Sequence, residues 1–147
     1  MRWLDMPPVW LAACLLAGWL QARIAPAPDL GLWADAGGWV LLGLAALLMA
    51  KAALQFRRYR TTIIPGESPD ALITGGIFRY SRNPIYLADL LILAALGLIW
   101  SSLLALFLVP VLFVVLDRRF IRYEERRLEE AFGARFEEYA GRTRRWI

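Results

Sequence analysis

Two polar clusters sit against apolar sequence. Arg82-Asn83-Pro84 and Ile85-Tyr86 lead directly into an apolar stretch that carries Asp89. Farther along, Glu124 and Glu125 stand side by side in a segment with helical periodicity. At about 100° per residue, Ile121, Leu128, Ala131, Phe132 and Tyr139 gather on one face of that segment. Phe120 lies at the edge of this face, and the two glutamates fall on its flanks. A carboxylate against a packing face is costly unless something cationic meets it. One kind of partner is a loop arginine, such as Arg79 or Arg82. The other is a bound cation or a hydroxyl-rich ligand. Gly75-Gly76, just before the first cluster, either lets backbone approach a ligand closely or simply makes a turn.

The types that are missing narrow the chemistry. Among 147 residues there is no histidine and one cysteine, Cys14. A histidine base, His-ligated haem, His-rich iron centres and the usual zinc sites are excluded, and so is an internal disulfide. No metal is expected.

The elements that must position these residues are membrane helices. The chain is 59% hydrophobic, against about 45–50% in an ordinary soluble domain, and its mean hydropathy is +0.48. Apolar segments run over about 7–24, 38–56, 85–100 and 103–116. The last two are short for the roughly 17–25 residues of a span. With Gly97 and Ser101-Ser102 between them they predict a tight hairpin, kinked at Pro110. Arg2 and the first apolar run imitate a signal peptide, but Asp5 and the weak cleavage sequence after it favour a retained first helix. The expectation is an all-α integral membrane protein with one domain over 1–147. It has four transmembrane helices, a cytoplasmic loop over 57–84 and a cytoplasmic helical tail over 117–147.

Charge sets the orientation. Lys51, Arg57, Arg58, Arg60, Arg79 and Arg82 border or occupy the loop between the second and third spans, and nine arginines lie between Arg118 and Arg145. Only Arg23 lies in the loop between the first two spans. The positive-inside rule then puts both termini and the long loop in the cytoplasm, in a bacterial inner membrane. A net charge of +4 distributed this way argues for topology and against nucleic acid. That loop has apolar residues and turn signals of its own, so it is expected to fold back on the protein.

Taken in order, the "GGIF", "Y", "RNP" and "Y" of residues 75–86, the apolar hairpin, "EE", "FG", "Y" and the arginines before Trp146 resemble the integral-membrane isoprenylcysteine carboxyl methyltransferases. The related phospholipid methyltransferases share the pattern. The likeness covers about residues 61–147. It implies an S-adenosylmethionine-dependent methyltransferase whose cofactor lies at the cytoplasmic helix ends. By motif position, the cofactor residues are Asp70, Ala71, Leu72, Ile73, Phe78, Arg82, Asn83, Pro84, Ile85, Tyr86, Glu124 and Glu125. The chain departs from eukaryotic relatives twice. Asn83 stands where they have His, and Phe120 stands at the position of a substrate-facing arginine. Arg119 and Arg122 are the nearest basic residues, and with Asp89 they are the substrate candidates.

The residue types suit that cofactor. A glutamate can accept from ribose hydroxyls or pair an ammonium, and Arg82 can pair a carboxylate. Phe78 and Tyr86 offer flat faces to adenine or to a sulfonium. Pro84 opens a helix whose first N–H groups favour an anion. No group is assigned as acid or base. The task is alignment, for which Arg82 and Glu125 are the candidates. The acceptor is expected to be lipidic or membrane-soluble, with membrane lipids as partners. Carboxylate O-methylation comes first, then an amine or phospholipid head group. The rival from another class is a non-catalytic membrane scaffold that retains the fold and binds no cofactor.

Overall fold

The computed structural model describes residues 6–59 and 71–147, and among these there is no strand. Helix α1 (Pro7–Ile24) opens on two prolines, which fit a first turn whose N–H groups have no helical partner. Helix α2 (Leu32–Tyr59) carries Asp35 in its first turn and Arg57 and Arg58 in its last, each sign opposing the helix dipole. Helices α3 (Pro84–Ile99) and α4 (Leu103–Val115) form the predicted hairpin. The four apolar segments are therefore helices, with α2 extended at both ends of the expected 38–56. Among the described residues, α2 is the one helix long and apolar enough to cross a membrane by those criteria alone.

Helix α3 is the centre of the bundle. It packs on α2 along one side and on α4 and α1 along the other. The α2–α3 contact is close because of Gly38, where an added β-carbon would run into the Ala95 carbonyl and the Ile99 side chain. The hairpin turn is a left-handed helix cap. Ser101 has φ 50°, its N–H reaches the Leu98 carbonyl (3.0 Å), and the Ser102 N–H reaches the Gly97 carbonyl (2.8 Å). The buried Ser102 hydroxyl accepts from the Ala105 N–H at 3.2 Å. It lies 2.9 Å from the Gly18 carbonyl and 2.7 Å from Gln21 Oε1, one of which takes its proton. That hydroxyl caps α4 and ties it to α1.

The helix of α4 does not stop at the end of the apolar segment. Pro110 stays inside it, facing outward. The backbone then passes through a π-turn over Leu116–Ile121 into α5 (Arg122–Phe132) with helical dihedrals at both joints. Leu116, Phe120 and Ile121 are all buried. Their spacing of four and five is what a widened turn presents to one side.

The tail differs from the single amphipathic helix expected from periodicity. It breaks at Gly133 (φ 52°, ψ −127°), and α6 (Ala134–Arg142) starts in a new direction. As a result Ala131 is exposed, while Phe136, absent from the predicted face, is buried beside Tyr139.

Two apolar cores result. One gathers Tyr86, Leu90, Leu93, Ala105, Leu112 and Phe120 with the inner face of α1. The other gathers Ala52, Ile73, Phe78, Phe136 and Tyr139, so it joins the end of α2, the strip after the loop, and the tail.

Candidate functional site

The approach to α3 is a short 3₁₀ turn, Gly76–Arg79. Gly76 has φ +60°, and a β-carbon there would collide with the Gln55 amide of α2. The close approach foreseen at this glycine pair is thus to the protein itself. The turn buries Phe78, which meets Phe56 edge to face at 5.6 Å. The Tyr139 hydroxyl donates to the Phe78 carbonyl at 2.7 Å, which fixes the tail against the turn.

The next residues lead into α3 at the boundary between the two cores. The Asn83 N–H donates to Ser81 Oγ at 3.1 Å, and the Leu87 N–H to the Asn83 carbonyl at 3.0 Å. Pro84 then starts the helix. The segment after α6 comes back across this entrance. The Arg144 carbonyl accepts from the Arg82 N–H (3.1 Å), and the Arg145 carbonyl from Asn83 Nδ2 (3.0 Å). Asn83 therefore uses its amide as a donor to the tail, a task open to an amide without any titration.

The two glutamates face different partners. Glu125 Oε1 lies 3.2 Å from Arg82 Nη2 and accepts from Arg145 Nε at 3.1 Å, while its Oε2 accepts from Arg145 Nη2 at 2.6 Å. Arg145 also reaches Asp117 at 3.2 Å, and Asp117 takes a further bond from Arg122 at 3.1 Å. Of the two candidate loop partners, Arg82 meets the acidic pair; Arg79 is exposed. The buried Nε of Arg82 has no hydrogen-bond partner among the described residues.

Glu124 accepts from the Tyr86 hydroxyl at 2.5 Å. Burial pushes its carboxyl up to about 7, with the charge of Glu125 adding to the rise. The Tyr86 hydrogen bond and the Arg127 charge work against it. A carboxyl of this kind changes its charge near neutral pH.

The other predicted residues are placed as follows. Asp70 lies outside the described residues. Ala71 and Leu72 are half-buried, Ile73 is buried in the second core, and Ile85 packs against that core from α3. Asp89 is buried one turn beyond Tyr86. Arg119 and Arg122 are exposed; Arg119 lies over the Trp10 ring at 5.6 Å. Phe120, at the position of the family's arginine, is 1% exposed and packs in the first core. Sequence reasoning missed Arg145 and Asp117 as members of the cluster. The available signal was the run Arg144-Arg145-Trp146, noticed only as part of a motif.

The sequence matches the family described as phospholipid methyltransferase over residues 33–135. The chain belongs to that family. Membership agrees with the order of motifs around α3 and α5 and carries with it an association with the membrane. The chain is also 33% identical over 109 residues to the cobalt-zinc-cadmium resistance protein CzcN of Cupriavidus metallidurans. That alignment covers 73% of the chain and 50% of the relative, so the chain spans about half the length of the curated protein it matches. No solved structure matches it.

Proposed function

We propose that the chain is an S-adenosylmethionine-dependent methyltransferase of the membrane, acting on a lipidic or membrane-soluble acceptor. The observation that carries this reading is the cluster at the entrance of α3. An acidic pair, a tyrosine and an arginine with an unpartnered buried Nε meet there, in a chain of a methyltransferase family.

The residues fit the cofactor by type. The acidic pair, Glu124 and Glu125, suits its ammonium and ribose hydroxyls. The spare Nε of Arg82 and the first N–H groups of α3 suit its carboxylate. Asn83, Pro84, Ile85 and Tyr86 would form one wall of its site, with Phe78 and the strip Ala71, Leu72 and Ile73 as another. When bound, the group supplies a methyl made electrophilic by a sulfonium. The protein's share is to bind, to align the acceptor with that methyl, and to keep water out. Arg82 and Glu125 hold alignment roles, and Arg119, Arg122 and Asp89 are assigned to the acceptor side.

Four membrane spans belong to this reading. Trp39, Val40, Leu44 and Leu47 on α2 and Phe107, Val111 and Val114 on α4 turn outward, as lipid-facing side chains would. The arginine distribution, by the positive-inside rule, supports a cytoplasmic α3 entrance.

Methyl-tritiated S-adenosylmethionine, added to the protein in vesicles of a bacterial lipid extract, tests the proposal. Label entering the organic phase with the wild type but not with Arg82→Ala is the expected result. Isoprenylcysteine-type carboxylates are the first added acceptor, and amine head groups the second. No transfer to any of them by a folded, cofactor-binding sample would remove the acceptor class; no cofactor binding would remove the enzyme.

A further inference from the structure

The two members of the acidic pair have different degrees of freedom. Glu125 has both oxygens engaged by two guanidinium groups, through three contacts of 2.6–3.2 Å. Of the roughly four lone-pair sites of a carboxylate, that leaves about one. Among the described residues Glu124 holds a hydrogen bond from the Tyr86 hydroxyl.

Arg145 is the residue that sets this division. Its planar fork grips Glu125 through Nε and Nη2, and Nη1 rests on Asp117 at 3.2 Å. The main chain of the same segment receives the Arg82 N–H and the Asn83 amide. The next residue, Trp146, stacks on Phe113 with ring centres 4.6 Å apart, which anchors the segment to α4.

The π-turn explains how Asp117 comes within reach. In a regular helix, residues eight apart are turned by about 80° from one another. A π-turn adds one residue to a turn and so removes about 100° of that offset, leaving about 20°. Asp117 and Glu125 therefore point to the same side, and one guanidinium can bridge them.

We infer that Arg145 is a positioning residue: braced by Asp117, it fixes Glu125 and through it Arg82, and it leaves Glu124 as the carboxylate that meets the cofactor. This rests on the cofactor reading above. A lysine cannot replace the arginine fully, since it carries the charge without the fork.

The test uses the full chain in detergent, with the demethylated cofactor, S-adenosylhomocysteine, as the probe. Arg145→Gln is expected to weaken binding about tenfold, and Arg145→Lys to recover part of that loss. Asp117→Asn is expected to weaken it less, and the double variant no more than Arg145→Gln alone. Unchanged affinity in Arg145→Gln, or losses that simply add, would overturn the inference. Amide exchange over residues 78–86 gives a second reading that needs no cofactor. Faster exchange there in Arg145→Gln supports the positioning role, and unchanged exchange refutes it. If the wild type fails to bind while exchange behaves as expected, the cofactor reading alone has failed.

Discussion

Glu124 and Glu125 are neighbours in sequence, and their surroundings have little in common. The Glu125 side of α5 is ionic: two arginines converge on one carboxylate, with Asp117 completing the network. The Glu124 side is less well compensated: a phenol donates to the carboxylate at 2.5 Å, and burial lifts its titration toward neutrality. One step along a helix turns a side chain by about 100°, enough to pass from one environment to the other. The lesson is that a paired motif need not mean a shared role. The first carboxylate is chargeable and lightly held, as a ligand contact should be; the second is fastened, as a structural hub should be.

The comparison can be broken at either member. Glu125→Ala should have the largest effect, because it strands Arg82 and Arg145 together. Removing one side of such a pair costs about 3–5 kcal/mol when fully buried. With Arg145 33% exposed, about 3 kcal/mol is expected, read as a lowered midpoint in denaturant. Glu124→Gln keeps an oxygen that can accept from the Tyr86 hydroxyl, so it should change stability by less than about 1 kcal/mol, yet it should lose cofactor binding. If the two variants are equally stable, the division of roles is wrong.

Titration sharpens the contrast. The carboxyl of Glu124 is raised from 4.5 to about 7, so between those values the folded state holds a proton that the unfolded state has released. Stability from this group is complete below pH 4.5 and is lost as pH rises toward 7. Cofactor binding should run the opposite way and strengthen as Glu124 ionises. Glu124→Gln should abolish both slopes. Tyr86→Phe removes the hydrogen bond that favours the ionised form, so the midpoint for binding should move to higher pH. A midpoint that stays or falls would separate Tyr86 from Glu124.

The smallest effect is expected where the tail's ion pair is exposed. Arg142 and Glu138 lie 3.3 Å apart, and both are about two-thirds exposed. Arg142→Ala should change stability by less than about 0.5 kcal/mol and leave cofactor affinity unaltered. A large loss of affinity would extend the site onto α6.

Much of the helical fold was legible because apolar runs and their breaks are local properties. The hairpin turn could be read from Gly97 and the serines, and the start of α3 from Pro84. The polar entrance and the acidic pair were legible by residue type and by the family's motif order. The missing parts depend on geometry that no local pattern encodes. A π-turn at Leu116–Ile121 shifts the register of everything after it relative to α4, which a uniform helical wheel does not carry. The break at Gly133 directs Phe136 inward. Arg145 reaches Glu125 only because the chain reverses between them. Gly76 was readable as a special backbone position, but its crowding neighbour, Gln55, belongs to another helix.

In the proposed site, the α3 entrance binds S-adenosylmethionine through Glu124. Calorimetric titration of the detergent-solubilised chain at about pH 8, above the carboxyl's raised midpoint, tests it most directly. The ligands are S-adenosylmethionine and S-adenosylhomocysteine, with Glu124→Gln beside the wild type. Saturable binding by the wild type, lost in a variant that stays folded, is the predicted result. Binding that survives in Glu124→Gln, or a well-folded wild type that takes up neither ligand, would contradict the claim.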